Sequence, residues 1–276
     1  MNVNRLLEIS ALRISRRKLG AARRKFRAKI FLIKWKWFSP RIPSADKHQI
    51  HILIIRDPKY ISVAKVCIYS FLYWNPNSIF TLHVDGVTQN KTEKAFSSYL
   101  KSEKLKIETI SAPKAYPWQL VKLQLIMQLD GSSDIYMDAD LRWNEKLPSL
   151  KGITFFVNEF QLQSKPDFSM LLKELNIDNS EKVFMRNLSF FTFYGFKLTD
   201  SQLEDIYITW NKVINAQKSL DIDSESPTIG RISEQLVLSI ACENWNNPIF
   251  ALKDEDGLKD GKFVESTYFG VTGLEF

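Results

Sequence analysis

The stretch DIYMDADLRW, residues 134–143, decides how the rest of the chain is interpreted. An apolar, strand-like run over residues 134–137 ends by placing Asp138 and Asp140 two positions apart. Side chains two apart in a strand point the same way, so at a strand end both carboxylates can face one point in space. Two like charges that close raise the pKa of at least one group unless a cation lies between them. The pattern therefore predicts a divalent cation site at the end of a buried strand.

The oxygen atoms of this carboxylate pair suit Mn²⁺ or Mg²⁺. Mg²⁺ is commonly bound by one or two protein carboxylates together with phosphate oxygens and water. A metal that bridges Asp138 and Asp140 to a diphosphate would neutralise the charge that grows on a departing nucleotide. The alternative is that both residues are exposed loop acids without a ligand.

Strand-like runs alternate with helical patterns on the N-terminal side of the pair. Strands are predicted over residues 50–55, 79–84, 105–110 and 134–137, and helices over residues 60–73, 91–100 and 116–129. This alternation favours right-handed βαβ units and a mostly parallel sheet with helices on both faces. Such sheets bind ligands outside the carboxyl ends of their strands. We therefore expect an α/β, Rossmann-like fold with the carboxylate pair at its ligand-binding edge.

The pattern after the pair is less regular. Strands are predicted over residues 152–157, 188–196 and 248–252, and helices over residues 201–216 and 233–243. The sequence contains no internal repeat or low-complexity tract.

Basic residues are concentrated at the start of the chain. Residues 1–41 contain 13 Lys and Arg and a single acid, Glu8, which leaves 25 basic and 30 acidic residues in the remainder of the 276-residue chain. A mildly acidic body is a poor surface for nucleic acid. We therefore expect no nucleic-acid partner, and any anionic partner is expected to bind the first 41 residues.

The basic segment has the pattern of a cationic amphipathic helix. One face carries the apolar series Leu12, Leu19, Phe26, Ile30, Ile33 and Trp37. A helix of this kind can lie in a bilayer interface, where each Lys or Arg near anionic headgroups contributes about 1 kcal/mol. We predict a membrane-surface helix over residues 1–38, a linker over 39–48 and a catalytic domain over 49–276. A solvated basic arm and an organellar presequence are the alternatives.

Apolar run lengths and cysteine usage bear on the location of the protein. No run reaches the roughly 18 apolar residues needed to span a bilayer. The two cysteines, Cys67 and Cys242, lie far apart without a C-x-x-C pattern, which favours a reducing compartment. The prediction is a cytoplasmic protein, peripheral on the inner face of the membrane.

The block IYMDADLRW, residues 135–143, resembles the Asp-x-Asp block of the GT-A nucleotide-diphosphate-sugar glycosyltransferases, especially the bacterial glycogenin and lipopolysaccharide-galactosyltransferase type. Residues 54–76, IIRDPKYISVAKVCIYSFLYWNP, are similar to their first strand and following helix. Residues 186–196, RNLSFFTFYGF, are similar to their acceptor-side block. The resemblance implies a GT-A fold and transfer of a sugar from a nucleotide-diphosphate donor to a glycan or lipid-linked saccharide, with Mn²⁺ or Mg²⁺ as cofactor.

The same resemblance implies roles for three further residues. Lys122 is the basic residue on the helix ahead of the Asp-x-Asp block, where it would contact the donor diphosphate or the Asp pair. The alternative is that its ammonium group extends to water. Asn187 matches a polar residue of the acceptor block. Glu234 matches the acidic position before the last helix, and an inverting enzyme needs such a carboxylate near the acceptor hydroxyl. For Glu234 the alternative is a first-turn acid favoured by the helix dipole.

The chain departs from the family pattern in its metal ligands. Many relatives take a third ligand from a histidine near the C-terminus, but residues 265–273 contain none. The three histidines of the chain all lie within its first 83 residues. Either phosphate and water complete the shell, or Glu265 or Ser266 contributes.

Polar residues also follow the first two predicted strands. Arg56 and Asp57 follow the first strand, and Asp85 ends the second. At the ligand-binding edge, Arg56 could meet phosphate or base, and Asp57 and Asp85 the ribose or base. An ordinary turn before Pro58 is the alternative for the first two.

Two other functions fit parts of the pattern. Haloacid dehalogenase-like phosphatases also have a strand-end Asp-x-Asp, and residues 254–260, DEDGLKD, could imitate their later acidic motif. That family places Thr or Val after the second Asp, whereas Leu141 follows here. A non-enzymatic membrane-binding or nucleic-acid-binding module with structural carboxylates is the second alternative.

Overall fold

The computed structural model describes residues 47–97, 103–112, 117–131, 133–143, 146–158, 166–177, 186–222, 233–253 and 264–266. The predicted membrane-surface helix over residues 1–38 and the linker up to residue 46 lie outside the described residues, so both stay predictions.

Strands and helices alternate through the first half of the chain and then mix less regularly. In chain order they are β1 (Gln49–Ile54), α1 (Tyr60–Trp74), β2 (Ile79–Val84), α2 (Gln89–Phe96), β3 (Leu105–Thr109), α3 (Trp118–Met127), β4 (Asp134–Met137), β5 (Leu141–Trp143), β6 (Gly152–Asn158), α4 (Pro166–Glu174), β7 (Arg186–Tyr194), α5 (Asp200–Ser219), α6 (Ser233–Glu243), β8 (Ile249–Lys253) and β9 (Val264–Ser266).

One large sheet organises the described residues. Its strand order is β3-β2-β1-β4-β7-β6-β8. The first four strands run parallel to one another, as do β6 and β8, whereas β7 is antiparallel to both of its neighbours. The predicted α/β architecture with a mostly parallel sheet is therefore confirmed. The short strands β5 and β9 pair separately and antiparallel.

Each face of the sheet is covered by an apolar core. On one face the isoleucines of β1, Ile50, Ile52 and Ile54, pack with α1 and with Trp143 of β5. On the other face Phe191 of β7 packs with residues of α3, α5 and α6. Each fully buried side chain of this size stabilises the fold by about 1.5–3 kcal/mol. Helices on both faces leave the strand ends as the place where polar residues can gather.

Three elements were not predicted from the sequence, namely α4, β5 and β9. Helix α4 begins at Pro166, a residue favoured at the first helical position. Its Phe168, Leu171 and Leu172 are fully buried at the i, i+3, i+4 spacing of one helix face. Strand β5 follows directly on Asp140, and its Trp143 backbone N–H donates to the Ser70 hydroxyl at 3.0 Å.

Among the described helices none combines the length and the apolar character needed to cross a bilayer.

A row of four titratable side chains crosses strands β4, β1, β2 and β3. His51 Nδ1 lies 2.9 Å from His83 Nε2. The other nitrogen of each ring faces a carboxylate, with His51 Nε2 3.5 Å from Asp134 Oδ2 and His83 Nδ1 3.7 Å from Glu108 Oε2. Burial and then the charge of His51 lower the pKa of His83 to about 4. His83 is therefore a neutral imidazole at pH 7.

We predict that this row makes folding stability fall in mild acid. Because the pKa of His83 drops from 6.5 to about 4 on folding, the unfolded chain binds more protons between these values. His83 thus contributes fully to the free energy of unfolding above pH 6.5. This contribution, roughly 3 kcal/mol in total, is lost as the pH falls toward 4. Urea unfolding at about pH 7 and about pH 5 measures the loss, and His83→Asn should reduce it. An equal loss in the variant would contradict the assignment.

Candidate functional site

The predicted site residues gather at one edge of the sheet. Since β1, β2 and β4 are parallel, Arg56, Asp85 and Asp138 follow strand ends at the same edge. Strand β7 runs the other way, so its first residues, including Asn187, lie at this edge as well. The backbone N–H of Asp138 donates to the Ser189 carbonyl at 2.8 Å, which fixes the Asp-x-Asp turn to β7.

The carboxylate of Asp138 is held by two neighbours. Lys122 Nζ lies 3.1 Å from its Oδ1 and 3.3 Å from its Oδ2. The Tyr136 hydroxyl donates to Oδ1 at 2.7 Å. Tyr136 and Asp138 are two residues apart and therefore lie on the same face of the chain, toward α3. The Asp138 side chain keeps 27% of its surface exposed, so it remains open to a ligand.

Behind Asp138 lies a buried ion pair between α3 and α6. Lys122 Nζ is 3.5 Å from Glu234 Oε1, and the exposed fractions of the two side chains are 3% and 0%. The ammonium group also lies 5.0 Å from the centre of the Tyr136 ring, within cation–π range. Burial acts to lower the pKa of Lys122, but the charges of Asp138 and Glu234 outweigh it and raise the pKa. Lys122 is therefore a fixed cation.

For Glu234 the effect of burial on the pKa outweighs the effect of the neighbouring charge. Burial raises its pKa to about 7, although the charge of Lys122 acts to lower it. The residue stands in the first turn of α6, as the sequence predicted, but its carboxyl group is fully buried. It faces Lys122 across the site and presents no surface to solvent.

Asp140 completes the carboxylate pair. Burial and then the negative charge of Asp138 raise the pKa of Asp140 to about 7, and Lys122 offsets only part of this. The two carboxylates thus lie close enough to repel each other, which is what the spacing in the sequence predicted. A dication at this point would relieve the repulsion. Two carboxylates supply oxygen ligands of the kind that Mg²⁺ and Mn²⁺ prefer.

No cluster of three or more His, Cys, Asp or Glu side chains arranged to hold a metal occurs in the part of the chain that the structure describes. The predicted alternatives for a third ligand, Glu265 and Ser266, lie in β9. That strand pairs with β5, and the Ser266 backbone stands opposite Leu141, the residue after Asp140. The backbone of β9 therefore runs beside the Asp-x-Asp turn.

Asp85 ties the ends of β1 and β2 together. Its Oδ2 accepts the backbone N–H of Arg56 at 2.8 Å. Its Oδ1 accepts the backbone N–H groups of Val87 at 3.2 Å and Thr88 at 3.0 Å, and the Thr88 hydroxyl oxygen lies 2.9 Å from it. Arg56 has a φ of 66°, a left-handed conformation that costs a non-glycine residue energy. The oxygens of Asp85 are thus engaged by backbone N–H groups of the chain itself.

Two other predicted residues lie nearer the surface of this edge. The Asp57 carboxylate pairs with Lys59 Nζ at 2.6 Å and accepts the Lys59 backbone N–H at 2.9 Å. Asn187 Oδ1 accepts the backbone N–H of Ser189 at 2.7 Å, which keeps its side chain at the start of β7.

Two residues with a part in the site were not identified from the sequence. Tyr136 binds Asp138, and the spacing of two residues within a strand could have indicated this. Thr88 donates its hydroxyl to the Ile54 carbonyl at 2.6 Å and so connects the ends of β1 and β2. Since these strands are distant in sequence, no local pattern predicts that contact.

A scan against protein-family models and a sequence search of curated proteins return no match. Solved structures with similar backbones include the galactosyltransferase LgtC in complex with donor and acceptor sugar analogues, at 10% identity and a TM-score of 0.48, covering 70% of each chain. Mouse xyloside xylosyltransferase 1 has 11% identity and a TM-score of 0.43, covering 75% of this chain and 85% of that one. A 4-diphosphocytidyl-2C-methyl-D-erythritol synthase from Anaerococcus prevotii has 10% identity and a TM-score of 0.41, covering 76% of this chain and 90% of that one.

We predict that Asp85 stabilises this edge through its hydrogen bonds to backbone groups. Asp85→Ala removes the acceptor of the Arg56, Val87 and Thr88 N–H groups and should lower the free energy of unfolding by about 2–4 kcal/mol. Thr88→Ser keeps the hydroxyl donor and should cost less than about 1 kcal/mol. Chemical denaturation of both variants measures the difference. Equal stability of the two would show that the Asp85 carboxylate does not hold the turn.

Proposed function

We propose that this chain is a glycosyltransferase that moves a sugar from a nucleotide-diphosphate donor to a glycan or lipid-linked saccharide acceptor. The observation that carries the proposal is the mutually repelling pair Asp138 and Asp140 at the carboxyl edge of a mostly parallel sheet, beside the fixed cation Lys122. Ligands of open α/β sheets bind at that edge. The resemblance of residues 135–143 to the Asp-x-Asp block of GT-A enzymes supports the same assignment.

Asp138 and Asp140 would hold Mn²⁺ or Mg²⁺ against the donor diphosphate. When bound, the metal supplies positive charge to the departing nucleotide. The chain adds charge of its own at the same edge, because Lys122 lies 3.1 Å from Asp138. Arg56, whose backbone N–H binds Asp85, would meet a phosphate or the base, and Asp57 would meet the ribose.

The acceptor side of the proposal rests on the start of β7. Asn187 stands there and would hydrogen-bond the acceptor sugar. The resemblance implied Glu234 as the base that takes the acceptor proton. Its complete burial and its distance of 3.5 Å from Lys122 favour instead a role in holding Lys122. Proton abstraction by Glu234 would require its carboxyl group to become exposed on ligand binding.

We predict that Asp138→Asn and Asp140→Asn each abolish sugar transfer with little loss of folding. Each substitution removes a negative oxygen donor while keeping the side-chain shape. The donor is found by screening nucleotide sugars for thermal stabilisation with and without Mn²⁺, because a ligand that binds the native state alone raises the melting temperature. Transfer and donor hydrolysis are then measured by release of the nucleoside diphosphate.

The matched control is Asp200→Asn, which alters an exposed acid in the first turn of α5. It should transfer sugar as the wild type does. Full transfer by both Asp138→Asn and Asp140→Asn would contradict the proposed metal role. Hydrolysis of phosphate monoesters without any response to nucleotide sugars would indicate a phosphatase instead.

We predict a second, independent function for residues 1–38, which is attachment to the inner, anionic surface of the cytoplasmic membrane. Removing these residues should release the protein from vesicles that contain anionic lipid, while transfer to soluble acceptors continues. Vesicle sedimentation measures the binding, with neutral phosphatidylcholine vesicles as the control. Binding should weaken as salt rises, because exposed charges are screened. Unchanged sedimentation of the shortened chain would refute the anchor.

A further inference from the structure

The geometry around Asp138 points to a second role for Lys122, which rests on the proposed function. We infer that Lys122, held by Glu234, is a resident counter-cation of Asp138 that weakens the binding of a free divalent ion and makes tight metal binding depend on the donor diphosphate.

The first support is the position of the ammonium group. It lies 3.1 and 3.3 Å from the two oxygens of Asp138, so a single cation already spans the carboxylate that a metal would use. A divalent ion bound to Asp138 would therefore stand within a few ångströms of a full positive charge. At an effective dielectric constant of about 20, such a repulsion is large compared with thermal energy.

The second support is that Lys122 has little freedom to leave. Its side chain is 3% exposed, and Glu234 at 3.5 Å is fully buried. Separating them would leave an uncompensated charge in the interior, which is strongly destabilising. The Tyr136 ring, 5.0 Å from the ammonium group, restrains it further. Lys122 is therefore a permanent part of the metal's surroundings rather than a mobile surface charge.

A nucleoside diphosphate changes this balance. Its phosphate oxygens carry negative charge that attracts both the metal and Lys122, so the repulsion between the two cations is offset when all three are present. The site then prefers a metal–nucleotide complex over either the free ion or the free nucleotide. Glu234 acts here as a positioning residue, since it contacts Lys122 and lies behind it.

The test is the binding of Mn²⁺ itself, measured from the electron paramagnetic resonance signal of the unbound ion. The wild type is compared with Lys122→Met/Glu234→Gln, which removes both buried charges and keeps the side-chain volumes. The double variant keeps the net charge of the wild type, since one positive and one negative charge are lost together. Lys65→Met is the control for the loss of a lysine outside the candidate site, because Lys65 lies on α1 over the Phe96 ring. Each protein is titrated alone and with UDP, GDP, CDP or ADP. Thermal melting confirms that each variant is folded.

We expect the double variant to bind free Mn²⁺ at least about tenfold more tightly than the wild type and Lys65→Met. We expect wild-type affinity for Mn²⁺ to rise at least about tenfold with one of the nucleotides, and the double variant to gain less. Affinity of the double variant within twofold of the wild type overturns the inference and leaves the proposed function standing. If the double variant does not fold, the wild-type titration is the test. Tight Mn²⁺ binding by the wild type without nucleotide also overturns the inference. Absence of Mn²⁺ binding in every protein, with or without nucleotide, contradicts the inference and the proposed metal role together.

Discussion

The buried cation of Lys122 is the constraint on which the candidate site depends. It joins three elements, because the lysine comes from α3, Asp138 follows β4 and Glu234 lies in the first turn of α6. A charge at this depth is tolerated only when it is paired, and here two carboxylates compete for it. The two carboxylates differ in solvent exposure, since Asp138 keeps part of its surface exposed while Glu234 is fully buried. One carboxylate is available to a ligand, and the other holds the cation in place.

The parallel half of the sheet was largely predictable from the sequence. Strands β2 and β4 begin and end at the predicted residues, because each is a short apolar run between polar turns. The direction of β7 was not predictable, because a nine-residue apolar strand looks the same in either orientation. Helix α4 was missed although Pro166 and its apolar spacing gave a signal, which the surrounding polar residues obscured.

The site was predicted as a set of residues but not as a set of contacts. The influence of the Asp138 charge on Asp140 was anticipated from their spacing of two residues, although both lie in the turn between β4 and β5 rather than within a strand. The engagement of Asp85 by the Arg56 backbone N–H depends on the pairing of β1 with β2, which are separated by an entire helix in sequence. The burial of Glu234 likewise depends on how α6 packs against α3. Sequence patterns give residue types at strand and helix ends, whereas tertiary packing decides which oxygen atoms remain open to a ligand.

The reversal of β7 has a consequence for how such a protein can diversify. Strands β1 to β4 end at the ligand-binding edge, whereas β7 begins there. On the proposed function, donor recognition and acceptor recognition then belong to neighbouring but separate halves of one sheet. Substitutions around Asn187 could therefore change the acceptor specificity while the donor-binding half of the sheet keeps its sequence.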